Sequence, residues 1–345
     1  MKNFFTAIAM AMAVGVHAGN ITFSQPNTPI VPLPLPPPGA ASHADQIVEK
    51  FNTLGRTTIF NLVKTVQLEG DTGEPEGMVN INEERYIISL GMYTTPTVSY
   101  GNNTIINGTD RTPGAGVGHL VVFDGEGNRI ADLATSNVGD IEYHMGGIDY
   151  DGENVWATLA QYRPNSTATI LKIDPQTLQA STVLQYNDHE GGIVHDPLTK
   201  RIATLNWGSR NASIFDLNNL EPAAGSEYTP AIKVTQNPSF YVDYQDCKFL
   251  GHPEFYDYRA VMICSGVTAL TANCTIGGIA IVDMNTMIPL SEVPLTMTSE
   301  LGVAITENPF DVDIVNGNLR LYFAPDQHNT TVYIYEPVLD SPREY

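Results

Sequence analysis

The feature that most constrains this chain is a short lead-in to a hydrophobic strand that recurs five times. The copies are Glu74-Pro-Glu-Gly-Met78, His144-Met-Gly-Gly-Ile148, His189-Glu-Gly-Gly-Ile193, Asp243-Tyr-Gln-Asp-Cys247 and Asn308-Pro-Phe-Asp-Val312. A strand-rich unit repeated along the chain cannot bury its hydrophobic faces alone, and packing the copies radially does so. The repeat therefore predicts an all-β fold, a β-propeller. It also predicts a place: equivalent positions of a propeller converge on its axis. Glu74, His144, His189, Asp243 and Asn308 should face one another there.

From Thr57 onward, short apolar segments alternate with turn signals such as Asp124-Gly-Glu-Gly, Asp151-Gly-Glu-Asn, Asp174-Pro-Gln-Thr and Asp196-Pro-Leu-Thr. Each lead-in opens an inner strand, and an apolar second strand follows, as in Val155-Trp-Ala-Thr-Leu. A third of the form Leu120-Val-Val-Phe-Asp124 comes next. The fifth copy runs out after Thr331-Val-Tyr-Ile-Tyr335 with no outer strand, and the unassigned segment Thr58 to Leu68 supplies it, closing the ring. Five blades result, with six as the alternative if the insert 94–116 forms strands of its own. The expected boundaries are a signal peptide over 1–18, a Pro-rich extended arm over 19–50, the propeller over 51–337 and a tail over 338–345. A short helix is expected near Ala44 to Leu54.

The apolar run Phe4 to Val16 with the small-residue site Val16-His17-Ala18 has the form of a secretory signal, too short to span a bilayer. Sequons at Asn20, Asn102, Asn107, Asn165, Asn211, Asn273 and Asn329 point the same way, to a secreted, N-glycosylated protein; a monomer is expected. With 38 acidic against 17 basic side chains the net charge is −21. Such a balance argues against nucleic acid and anionic membranes as partners. Three cysteines allow one internal disulfide, either Cys247–Cys264 or Cys264–Cys274.

Antiparallel geometry puts the lead-ins and the ends of the second strands on one face. That mouth should collect Glu76, Glu190, Asp246 and Asp311, with Tyr93, Tyr162, Arg163, Trp207 and Arg210 from the loops, and the insert 94–116 beside them. His144, His189, Glu190 and Glu76 are the candidate catalytic residues. Tyr93, Tyr162, Arg163, Trp207, Arg210, Asp246 and Asp311 are the candidate substrate contacts. Two chemistries fit. A metal held by Glu74, His144, His189, Asp243 and Asn308 would be Zn, Mn or Fe through mixed N/O ligation, or Ca through oxygens alone. Without metal, His144 or His189 coupled to a carboxylate is an acid–base pair. The Gly146-Gly147 and Gly191-Gly192 pairs either leave room for a ligand or let strands pack. His252 belongs to the opposite end, and His195 reads as a core histidine. There is no nucleophile elbow, phosphate loop or dinucleotide fingerprint, so no nucleotide cofactor is expected.

Several segments carry a resemblance: His144-Met-Gly-Gly-Ile-Asp-Tyr-Asp-Gly, Gln161-Tyr-Arg-Pro-Asn-Ser, Asp188-His-Glu-Gly-Gly-Ile-Val-His-Asp, Asn206-Trp-Gly-Ser-Arg and Tyr244-Gln-Asp-Cys. They resemble a family of fungal and bacterial proteins catalogued as a domain of unknown function, over most of 57–337. In plan the chain is also similar to gluconolactonase/regucalcin propellers, which bind a divalent cation on the axis and open lactones. Here two of the corresponding positions are histidine. In fold and secretion it resembles hetero-Diels–Alderase propellers of secondary metabolism. These resemblances imply an enzyme acting on a small polar or cyclic molecule at the axial mouth, a lactonase-like hydrolase or an isomerase or cyclase. A non-catalytic module binding glycan or protein is the alternative.

Overall fold

The computed structural model describes residues 16–17, 19–55, 57–271 and 274–339. The expected signal peptide, apart from the backbone of Val16–His17, lies outside them, as do the Asn273 sequon and the end of the tail. The five sheets are a five-bladed propeller. From the axis outward, blade 1 is Glu74–Ile81, Arg85–Thr95, Ala115–Asp124 and Arg129–Ala134. Blade 2 is Glu142–Tyr150, Val155–Gln161, Ala168–Ile173 and Ala180–Tyr186, and blade 3 is Glu190–Asp196, Arg201–Asn206, Asn211–Asp216 and Lys233–Gln236. Blade 4 is Asp243–Gly251, Val261–Thr271, Cys274–Asp283 and Pro289–Leu295. Blade 5 takes Phe310–Val315, Asn318–Phe323 and Thr331–Val338 from the end of the chain, and Ile59–Gln67 from its beginning.

Local chemistry explains these elements. In blades 1 to 4 the aspartate at the end of the third strand makes the following turn. Asp124 Oδ1 accepts the amides of Glu126 and Asn128, Asp174 Oδ1 that of Gln176, Asp216 Oδ1 that of Asn218, and Asp283 Oδ1 those of Asn285 and Thr286. Such short side chains satisfy turn amides at little steric cost. Inner strands lie between neighbouring blades and are buried almost throughout, whereas the outermost strand Ile59–Gln67 is largely exposed. The disulfide joins Cys247 to Cys264, a directly opposed pair on adjacent strands, and leaves Cys274 free and exposed. The insert 96–114 holds only isolated bridges, Ser99 to Arg111 and Ile106 to Thr109, and builds no sixth blade.

Buried aspartates tie the inner strands together along the axis. Asp246 of blade 4 accepts the amides of Met78 in blade 1 (3.0 Å), Phe310 in blade 5 (3.0 Å) and Ile148 in blade 2 (3.2 Å), and the Lys248 ammonium at 2.6 Å. Asp149 of blade 2 accepts from His195 in blade 3 and Phe249 in blade 4. Asp311 of blade 5 accepts the Asn80 amide of blade 1 at 2.6 Å.

The arm differs from its expected form. Asn20–Phe23 adds a strand outside blade 1. The helices Gly39–Ser42 and Ala44–Phe51 dock with Ile47, Val48 and Phe51 fully buried. Residues 38–40 line a residual space of about 10 Å³ with Asp149, Lys248 and Asp311. The arm thus seals one end of the axis, and Gly39 is needed there because a Cβ would sit 2.7 Å from the Asp313 carboxyl. Among the described residues no helix is long and apolar enough to cross a membrane.

Candidate functional site at the axial mouth

The inner strands of blades 1 to 4 break register at their lead-ins, between Pro75 and Gly77, Glu142 and His144, Glu190 and Gly192, and Tyr244 and Asp246. A bulge re-aims the side chain that it carries. Glu74, His144, His189, Asp243 and Asn308 all line one cavity of about 230 Å³ at the open end of the axis. Glu76, Glu307, Tyr162 and Trp207 share it. Below it the glycines serve packing: a Cβ on Gly146 would lie 2.3 Å from the Gly191 carbonyl oxygen, and one on Gly77 2.5 Å from the Ile148 nitrogen.

The two histidines are pushed in opposite directions. His189 Nδ1 lies 2.7 Å from the Gln161 carbonyl oxygen. A carbonyl only accepts, so Nδ1 carries the proton and Nε2 is left with its lone pair beside Gly191, a residue of the cavity wall. Burial, reinforced by the neighbouring His144, lowers the His189 pKa to about 3. His144 has Nε2 3.2 Å from Glu76 Oε1. Burial alone would lower it, but the Glu76 carboxylate overrides that and holds the imidazole above its ordinary value. Its ring stacks on Tyr162 at 4.8 Å and lies 5.3 Å from that of His189.

Glu74 is the third element. Its Oε1 accepts hydrogen bonds from the Tyr162 hydroxyl at 3.3 Å and the Gln327 amide at 3.2 Å. Burial and then repulsion from Glu76 push its pKa up to about 7, and the same two causes raise Glu307. Asp243 is raised by burial against the pull of Arg210, whose Nη2 donates to Oδ1 at 2.7 Å. The donors expected for a metal are therefore divided among other partners: His144 faces Glu76, and Asp243 faces a guanidinium. Among the described residues no three His, Cys, Asp or Glu side chains gather as a metal ion would require.

Other expected contacts fall elsewhere. Asp246 and Asp311 do not reach the mouth; they are the axial ties described above, turned to neighbouring amides. Glu190 is fully buried, its carboxyl pushed well above the usual range by burial, near the hydroxyls of Thr204 and Ser213 and outside the cavity wall. Arg163 donates through Nε to Gln161 Oε1, and Arg210 acts behind Asp243. Tyr93 stands on the rim, 36% exposed, edge-on to Tyr143 and Tyr162. His195 is buried with Nδ1 2.8 Å from Asp151, and His252 pairs with Asp196 away from the mouth. Two residues escaped sequence reasoning. Glu307 directly precedes the lead-in residue Asn308, a signal that was available. Arg111 lies in the insert, where no period marks it, and its guanidinium sits 4.6 Å over Trp207. The Asn165 amide donates to the Gly108 carbonyl, so the insert of blade 1 reaches past blade 2 to the rim at blade 3.

Residues 35–341 match the model of a family described as of unknown function, DUF6454. The chain belongs to this family. The match takes in the helices that seal the far end of the axis. Among curated proteins none matches. Among solved structures the chain is similar to one in a nidogen/laminin complex, at 12% identity and TM-score 0.38, covering 65% of this chain and 64% of that one. It is also similar to a luciferin-regenerating enzyme, at 12% identity and TM-score 0.41, covering 81% and 95%. A glucose dehydrogenase gives 10% identity and TM-score 0.41, covering 77% and 84%.

Proposed function

We propose that this protein is an enzyme that moves protons on a small, uncharged, polar cyclic molecule bound in the axial cavity. The single observation that carries this reading is the pair of oppositely tuned groups on one cavity wall. His189 is a neutral imidazole with a free Nε2, and Glu74 is a carboxyl raised to about 7. Environments that push two titratable groups apart assign an acid and a base. In this reading His189 Nε2 takes a proton from the nucleophilic water or from the substrate. Glu74 gives one to the departing or developing oxygen. The His144–Glu76 pair fixes the floor of the site electrostatically, and Tyr162 positions Glu74. Ring opening of a lactone, isomerisation and cyclisation all use such a pair.

The aromatic rings favour a single site over a multivalent binding module. Tyr93, Tyr143, Tyr162 and Trp207 form one edge-to-face cluster at one side of the mouth rather than one pocket per blade. A secreted, glycosylated protein remains part of the proposal, supported by the signal-like leader and by the exposure of Asn20, Asn102, Asn107, Asn165 and Asn329. The test is turnover of a panel of small lactones and cyclic ethers or enones by wild type, Glu74→Gln and His189→Gln. General acid–base groups contribute about 10²–10⁴-fold, so each variant should lose at least about 10²-fold with its fold intact. Turnover insensitive to both substitutions overturns the reading.

A further inference from the structure

A second cavity, larger than the first at about 730 Å³, opens between blades 4 and 5. Its wall comes from Cys274 and Thr275 on one side and from Leu301, Val303, Ala304 and Pro325 on the other. It adjoins the axial cavity. Glu307 lines both, and Gln327, a residue of the second cavity, donates its amide to Glu74 in the first. Resting on the reading of the axial cavity as a substrate site, we propose that the two cavities are subsites of one elongated site for an amphipathic molecule. A hydroxyl-rich cyclic head lies at the axis, and an apolar appendage lies between blades 4 and 5.

The head group follows from the lining. Glu76, Glu307 and His189 Nε2 accept hydrogen bonds, so the occupant must bring donors, alongside the oxygen that Glu74 protonates. Anions are repelled. The guanidiniums already present, Arg111 over Trp207 and Arg210 on Asp243, partly neutralise the field and favour an uncharged polyol over an ammonium. The axial cavity alone is smaller than the roughly 300–1,000 Å³ of ordinary ligand sites. A molecule that fills it must continue somewhere, and the Glu307 side offers space walled by Leu301, Val303, Ala304 and Pro325.

The chain carries a reporter in each subsite. Trp207 lines the axial cavity, and the only other tryptophan, Trp156, is buried in blade 2 and removable as Trp156→Phe. Cys274, the free thiol, lines the second cavity. Methyl, butyl and hexyl β-glucosides are titrated into Trp156→Phe protein, reading Trp207 fluorescence and the rate of Cys274 alkylation by N-ethylmaleimide. Methyl glucoside should shift the fluorescence without slowing alkylation. Hexyl glucoside should do both, with half-saturation lowered about ten-fold or more, since each buried methylene strengthens binding several-fold. Ala304→Phe, which fills the second cavity, should abolish that gain and leave methyl glucoside unaffected. Equal half-saturation along the series with no thiol protection overturns the elongated site and leaves the axial reading standing. Thiol protection without a Trp207 response shows two independent cavities and also overturns it. Silence from every glucoside overturns the hydroxyl-rich head, while the catalytic reading is judged separately by its Glu74 and His189 variants.

Discussion

Asp246 and Lys248 offer the sharpest test of how the ring is held together. One carboxylate receives three backbone amides from blades 1, 2 and 5 and the only ammonium at the axis among the described residues, and both side chains are essentially buried. Removing one partner of a buried ion pair costs about 3–5 kcal/mol. Each amide left buried without an acceptor adds about 1–3 kcal/mol. Asp246→Ala would thus exhaust most of a stability of about 5–15 kcal/mol, so Asp246→Asn is the better probe. It keeps one acceptor oxygen but turns an NH₂ group toward N–H donors, and should cost about 3 kcal/mol, near the lower end of the pair range. Lys248→Met should also cost about 3 kcal/mol, the lower end of the same range, because the aspartate keeps its three amides. The double variant should cost about 3 kcal/mol rather than the sum, the deficit being the coupling between the two groups. Urea unfolding followed by far-UV circular dichroism gives all three values, provided that the denaturant slope stays constant. A cost below about 1 kcal/mol for Asp246→Asn, or strict additivity, would refute the axial tie as a structural element.

Four further outcomes are expected. Catalysis by this pair needs Glu74 protonated and His189 neutral, so kcat/KM should hold between about pH 3 and pH 7 and fall as pH rises through the Glu74 pKa of about 7; a profile that rises above pH 8 contradicts the assignment. Glu76→Gln removes the carboxylate that opposes burial at His144, so ¹⁵N-detected titration should show that imidazole losing its proton at lower pH than in wild type. Arg111→Ala unstacks the insert from Trp207 and should raise KM by about three- to ten-fold with kcat little changed, as expected for about 1 kcal/mol of a partly exposed cation–π contact. Replacing Cys247 and Cys264 together by alanine should lower stability by about 2–4 kcal/mol, given the 17-residue separation that the bridge closes.

The blades were legible because their signals are local. Alternation, an aspartate at the end of the third strand in blades 1 to 4 and an apolar second strand each occupy a few residues, and each has a direct physical counterpart in the structure. The lead-in residues were legible for the same reason, and all five line the mouth. What could not be read was the phase of the residues just beyond them. Glu76, Glu190, Asp246 and Asp311 stand two, one, three and three positions after their lead-in residues. The bulges shift register by an amount that no local signal encodes. Glu76 enters the cavity, Glu190 is buried near Thr204 and Ser213, and the two aspartates, one of them in the unbulged blade 5, turn to the axis. Glu307 needed only one more residue of attention. Arg111 needed the path of an aperiodic insert, which only tertiary structure supplies. The docking of the arm rests on three apolar residues, Ile47, Val48 and Phe51, in a helix too short to announce its partner.

The last blade takes its outer strand from the opposite end of the chain. Thr331 lies opposite Gln67, 264 residues away in sequence. During synthesis Ile59–Gln67 therefore emerges long before the strand that it must pair with, and spends that interval as an unpaired edge. At about 5–20 residues per second the wait is on the order of tens of seconds. The sparse burial of this strand, with Asn61, Thr65 and Gln67 among its exposed positions, suits a segment that has to remain unattached until the ring is complete.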